Sequence, residues 1–148
     1  MAGIEIRLAV PEDAERVSLI RQTAAEEASR YRGTRLAPPL SPRDGFVLVG
    51  GAEGEVWGCL ECSRVEESIW SIDRVHVLEE ARDIGIGDAL VRACADEVVR
   101  RGGLQLVSSA QPGDRSLKNL FERNGMVAQT ILVGRFLSDP ASGEDVSR

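Results

Sequence analysis

The stretch Ile69-Trp70-Ser71-Ile72-Asp73-Arg74-Val75-His76-Val77, followed after a charged turn by Arg82-Asp83-Ile84-Gly85-Ile86-Gly87, decides how this chain folds. Ile72, Val75 and Val77 among aromatic and polar neighbours read as a strand, although the alternation is not clean. From Gly87 onward the period changes. Ile86, Leu90, Cys94 and Val98 recur every four residues, and Ala89 and Ala93 widen the stripe, which predicts a helix. Gly102-Gly103 stops that helix, since glycine tolerates the left-handed conformation that ends helices. The unit is strand, glycine turn, helix.

Such a turn has a chemical use. The first N–H groups of a helix lack intrahelical partners, and the helix dipole puts partial positive charge there. Gly85 and Gly87 carry no Cβ, so a ligand can approach the main chain closely. Arg82 adds a permanent charge able to fork onto phosphate. Together they predict an anion site, with pyrophosphate the best fit; the alternative is a tight turn that binds nothing. A dinucleotide fingerprint fits less well, because Leu90 stands where its third glycine belongs. A phosphate-binding Gly-Lys-Ser or Gly-Lys-Thr triplet does not occur.

Working outward, Phe46-Val47-Leu48-Val49 and Val56 to Cys62 read as two strands joined by a turn over Gly50 to Glu55, an antiparallel hairpin. Further upstream, Ile4-Glu5-Ile6-Arg7-Leu8 alternates as a half-buried strand. Pro11-Glu12-Asp13 then opens a helix striped by Val17, Ile20, Ala24 and Ala28. Ser29 to Gly45 is rich in Arg, Pro and Gly and reads as a lip over a site or a solvated loop. Downstream, Leu104 to Ser108 alternates as a strand, and Asp114 is a suitable N-cap for a short helix carrying Leu117, Leu120 and Phe121. Asn124-Gly125 closes that helix, and Ile131 to Leu137 supplies a last expected strand. We expect one domain over residues 1–137 and a disordered polar tail over 138–148.

A net charge of -6 argues against non-specific nucleic-acid binding and suits a cationic acceptor. No apolar run reaches membrane-span length and no signal core precedes the first strand, so the expected compartment is the cytoplasm, with no membrane partner. Cys59 and Cys62 form a C-x-x-C, but residues three apart in a strand point to opposite faces, and no second pair exists. Reduced, packing cysteines are the better reading, and no metal site is expected.

The spacing Arg82-x-x-Gly85-x-Gly87 between strand and helix resembles the acyl-CoA pyrophosphate loop of the GNAT superfamily of N-acetyltransferases. "IRLAVPEDAERVSLI" resembles that family's opening segment, and "DRSLKNLFERNGM" its second signature, roughly Asn-x-x-Ala-x-x-Leu-Tyr-Glu-x-x-Gly-Phe. The resemblance covers about residues 3 to 137. It implies an α+β fold, a mixed, mostly antiparallel sheet of about six or seven strands flanked by helices. It also implies acetyl-CoA as co-substrate, an amine acceptor on a small molecule or peptide, and room for a homodimer.

Carried over by position, Arg82, Asp83, Ile84, Gly85, Ile86, Gly87 and Asp88 would hold pyrophosphate, mostly through main-chain N–H groups. Val75, His76 and Val77 would pair with pantetheine, with Asp114 and Phe121 completing the cofactor site. His76 reads equally well as a partly exposed strand residue. Three departures stand out: Asp83 where the first loop glycine is usual, Asp114 for asparagine, and Phe121 for the tyrosine that often protonates the departing thiolate. The implied chemistry, attack of a neutral amine on a thioester, needs a proton acceptor. Asp73 and Glu61 are the candidate bases, each with a surface-carboxylate alternative. A catalytically weak acyl-CoA-binding module and a nucleotide-binding domain are the rival readings.

Overall fold

A computed structural model describes residues 3–33 and 44–138 of the chain. Alternation at the start gives β1 (Ile4–Leu8), and after a single 3-10 turn at Pro11–Asp13 the apolar stripe forms α1 (Ala14–Ala28). Then come β2 (Gly45–Ala52), β3 (Glu55–Arg64), β4 (Ile69–Val77), α2 (Ile86–Arg100), β5 (Gln105–Val107) and α3 (Arg115–Arg123). The strands lie in the order β1-β2-β3-β4-β5. The first four run antiparallel, and β5 lies parallel to β4 because α2 carries the chain back across the sheet.

The sheet separates two cores. On one face Leu60, Cys62, Trp70, Ile72 and Val75 pack against Ile86, Leu90, Cys94 and Val98 of α2. On the other, Val49, Cys59 and Leu78 pack against Val17 and Ile20 of α1. Leu90 and Cys94 are completely buried; truncating a leucine in such a place costs about 2–5 kcal/mol. The C-x-x-C is therefore split between the cores, and all three cysteines are free and buried. Burial pushes the Cys59 thiol up to about 11, and Cys94 together with burial raises that of Cys62. Neither is a nucleophile at neutral pH.

The hairpin turn is tighter than the sequence implied. Ala52 pairs with Glu55, leaving Glu53 and Gly54 as a two-residue loop with φ of 54° and 82°, the signature of a type I′ turn. The glycines before it belong to the strand, at a bulge between Gly50 and Gly51. A Cβ on Gly51 would stand 1.8 Å from the Glu55 carbonyl oxygen.

The α+β class holds, with five strands among the described residues where six or seven were expected. Ile131–Leu137 forms no strand: it leaves the sheet exposed and unpaired, so its β-prone composition has no ladder to join. Within the Ser29–Gly45 segment, residues 34–43 lie outside the described residues, as does the expected tail beyond Ser138. The start of that segment crosses to the β5–α3 loop. There Gln111 Nε2 donates to the Gly33 carbonyl at 2.8 Å.

Candidate functional site

β5 pairs with β4 only at Ile69–Ser71. Ser108 Oγ then donates to the Ile72 carbonyl at 2.8 Å, after which the two strands part. Arg74 to His76 have no ladder on this side among the described residues, so their main-chain groups form an edge that an extended ligand can pair with. β4 is also bulged. Glu61 faces Arg74 and Cys62 faces Ile72, leaving Asp73 as the extra residue. The bulge explains the broken alternation: Ile72 and Val75 both enter the α2 core, whereas His76 pairs with Cys59 on the α1 side.

The open edge leads into the glycine turn. Asp83 and Gly85 both have left-handed backbones, with φ of 67° and 99°. Aspartate is among the few non-glycine residues that tolerate this region, which accounts for Asp83 at a position where glycine is usual. α2 begins at Ile86, and no side chain caps it. Ala89 is the first amide to find a carbonyl, that of Gly85. The N–H groups of Ile86, Gly87 and Asp88 thus have no partner among the described residues, the arrangement that binds anions. A Cβ at Gly87 would meet Leu120 at an ordinary 3.5 Å, so helix packing does not require glycine there.

The charged side chains around this turn are engaged with one another. Arg82 Nε donates to the Val77 carbonyl at 2.9 Å, and its terminal nitrogen to Glu27 at 2.7 Å. The guanidinium therefore ties the end of α1 to the end of β4. Ile84 is 54% exposed. The Asp88 carboxylate accepts from Arg123 and Asn124, and Arg123 holds it below the usual carboxylate range. Asp114 caps α3 through the Leu117 amide at 3.1 Å. Phe121 is buried against the α2 core.

The two candidate bases lie close together on the sheet but in different surroundings. Burial alone would raise the Glu61 pKa, yet the Arg21 and Arg74 guanidiniums outweigh it and hold it below the ordinary value. Arg21 sits 2.6 Å from one carboxylate oxygen and Arg74 2.7 Å from the other. Asp73 accepts a hydrogen bond from Ser63 Oγ at 2.6 Å, two residues along β3 from Glu61. His76 packs partly buried, with its Nε2 atom buried and unpartnered among the described residues. Burial lowers its pKa, so the imidazole is neutral at pH 7.

A model of the acetyltransferase (GNAT) family matches residues 13–126, a span that includes the open β4 edge, the glycine turn and α3. The chain belongs to the GNAT acetyltransferase family. Solved structures agree on the fold. A ribosomal-protein-alanine N-acetyltransferase from Brucella melitensis biovar Abortus 2308 superposes with a TM-score of 0.69 at 22% identity, over 90% of this chain and 99% of that one. An aminoglycoside N-acetyltransferase solved with CoA gives 0.69 at 14%, over 93% and 97%. An aminoglycoside acetyltransferase from an uncultured soil metagenomic sample, solved with trehalose, gives 0.68 at 16%, over 91% and 95%. No curated protein matches the chain by sequence.

In this GNAT chain, Val75, His76 and Val77 line up along the open edge that runs into Arg82–Asp88. Sequence reasoning did not find the partners that condition the site: Ser63 on Asp73, Arg21 and Arg74 on Glu61, Glu27 on Arg82, and Ser108 at the strand fork. Each acts between separate segments of the chain, and only the residue type was readable beforehand.

Proposed function

We propose that the protein transfers the acetyl group of acetyl-CoA to a primary amine on a small molecule or peptide. One observation carries this reading: the β4 edge at Arg74–His76, which has no β5 ladder among the described residues, leads through the glycine turn to the N-terminus of α2, which no side chain caps. Pyrophosphate on the Ile86, Gly87 and Asp88 amides would let the pantetheine arm run back along β4. Four residues of strand span about 13 Å, which brings the thioester toward the Asp73 bulge. The related proteins named above act on aminoglycosides or on a ribosomal-protein alanine, and in both cases the nucleophile is an amine.

The amine nitrogen attacks the thioester carbonyl carbon, and main-chain N–H groups of β4 polarise the carbonyl oxygen. Collapse of the tetrahedral intermediate breaks the C–S bond and expels CoA thiolate, and the nitrogen proton passes to a base. Asp73 takes that role in this reading, because the guanidiniums of Arg21 and Arg74 hold Glu61 below the ordinary carboxylate range and make it the weaker base. Phe121 supplies no proton, so the thiolate departs unaided or is protonated by water.

The test is release of CoA thiol from acetyl-CoA across aminoglycosides, polyamines, small amines and peptides. Turnover with at least one amine is expected. Tight acetyl-CoA binding without release for any amine would favour the second reading, an acyl-CoA-binding module, for which Phe121 speaks.

A further inference from the structure

The bulge in β4 has a chemical result. In a regular strand the neighbours Asp73 and Arg74 would point to opposite faces. Here both reach the same one. Arg74 donates a terminal nitrogen to one oxygen of Glu61 at 2.7 Å, and Asp73 accepts from Ser63 Oγ at 2.6 Å. Glu61 and Ser63 lie two residues apart on β3 and so share a face. Arg21 of α1 also reaches Glu61, which makes that face the one α1 covers. A carboxylate and a guanidinium therefore stand side by side, next to the stretch of β4 that has no β5 ladder among the described residues.

The charges on this face do not cancel pairwise. Two guanidiniums share the single carboxylate of Glu61, Arg21 through Nε and one terminal nitrogen, Arg74 through one terminal nitrogen. The second terminal nitrogen of Arg21, and the Nε and second terminal nitrogen of Arg74, have no partner among the described residues. The Arg21 and Arg74 side chains are 46% and 37% exposed, against 19% for Glu61, so solvent and ligand reach the cations first. Glu61 already holds both in place, and a further carboxylate that docks on them immobilises little that is free.

This step rests on acetyl transfer at the site: we propose that the amine acceptor is an amino acid, a small molecule whose ammonium group approaches Asp73 while its carboxylate docks on the free guanidinium nitrogens of Arg74 and Arg21. The protein offers a negative and a positive group side by side, and an amino acid offers the same pair reversed. A polyamine or an aminoglycoside would instead set a further ammonium against two guanidiniums, a like-charge contact that selects against it. The cofactor amides belong to α2, on the other face of the sheet from Arg21 and Glu61, so the two substrates do not compete for one surface.

Calorimetry on the full chain saturated with CoA tests the carboxylate directly, using N-acetyl derivatives of the standard amino acids and of short ω-amino acids, each beside its own carboxamide. An acetylated amino acid and CoA are the two products of the proposed reaction, and each acid differs from its amide only in the charge at issue. At least one acid should bind about tenfold more tightly than its amide, the low end for charge-assisted hydrogen bonds because both arginines are partly exposed. The gap should narrow as salt rises. Arg21→Gln, with circular dichroism confirming the fold, should shrink the gap, and Arg21→Lys should restore part of it. The parent amino acid should then be acetylated from acetyl-CoA. An acid preferred over its amide but never acetylated as the free amine would support the carboxylate site and count against acetyl transfer. Equal binding of acid and amide across the panel, whether or not other amines turn over, would overturn the proposal, as would a gap indifferent to Arg21→Gln.

Discussion

Placing an aspartate at Gly87 should separate stability from cofactor binding. Gly87 is the second residue of α2 and has a helical backbone, so a side chain there incurs no conformational strain. The nearest atoms to an added Cβ are those of Leu120 at 3.5 Å, ordinary contact. Replacing glycine inside a helix gains about 0.3–0.5 kcal/mol. A carboxylate in the first turn of an uncapped helix adds about 0.3–1 kcal/mol through the dipole. Gly87→Asp should therefore leave the melting temperature unchanged or raise it. The same carboxylate would sit about 5 Å from a bound pyrophosphate, where two unit charges repel by about 1–3 kcal/mol at effective dielectrics between those of a protein surface and water. Calorimetry should show CoA affinity falling roughly ten- to hundredfold, with part of the loss recovered at high salt. A thermally intact variant that binds CoA as tightly as the native protein would refute this placement of the phosphate.

Five residues yield further expectations. Arg82→Ala removes a hydrogen bond to the Val77 carbonyl and a partly exposed ion pair with Glu27; thermal unfolding should show a loss of about 1–2 kcal/mol, and an unchanged melting point would mean that the contact carries nothing. Phe121→Tyr should alter turnover on an accepted amine by less than about tenfold, under ~1.4 kcal/mol of barrier; a hundredfold gain would mean the native site lacks a needed acid. Burial depresses the His76 pKa, with smaller opposing effects of Glu27 and Asp114 upward and of Arg82 and Arg74 downward. Its contribution to stability is therefore full above the unfolded value near 6.5 and is lost as pH falls toward the folded value. Denaturant unfolding should show stability falling from pH 7 to pH 5, with a shallower fall in His76→Gln; equal slopes would contradict the assignment. Asp73→Asn should cut turnover at neutral pH more than Glu61→Gln does, at matched acetyl-CoA affinity, and the reverse order would move the base to Glu61.

The strand, turn and helix at Ile69–Arg101 were legible because their signals are local: a period of four from Ile86 to Val98, and glycines where the backbone turns left-handed. The cap at Asp114 was readable for the same reason. What could not be read were features set by contacts across the sheet. The bulge at Asp73 depends on the register with β3, and no spacing within β4 announces it. The commitment of Arg82 to Glu27 depends on where α1 ends above β4, so a residue type suited to phosphate proved to be bound within the protein. Ile131–Leu137 reads as a strand by composition, but a strand exists only where a neighbour offers a ladder, and among the described residues none does.

The central claim is that the amides opening α2, together with the free edge of β4, hold the cofactor. Titrating isotopically labelled protein with acetyl-CoA and following backbone amide resonances tests it most directly. The account predicts saturable shifts largest at Ile86, Gly87 and Asp88, with a second group at Arg74–Val77 that is absent when inorganic pyrophosphate replaces acetyl-CoA. Saturable binding that leaves Ile86, Gly87 and Asp88 unmoved and shifts residues elsewhere would contradict it.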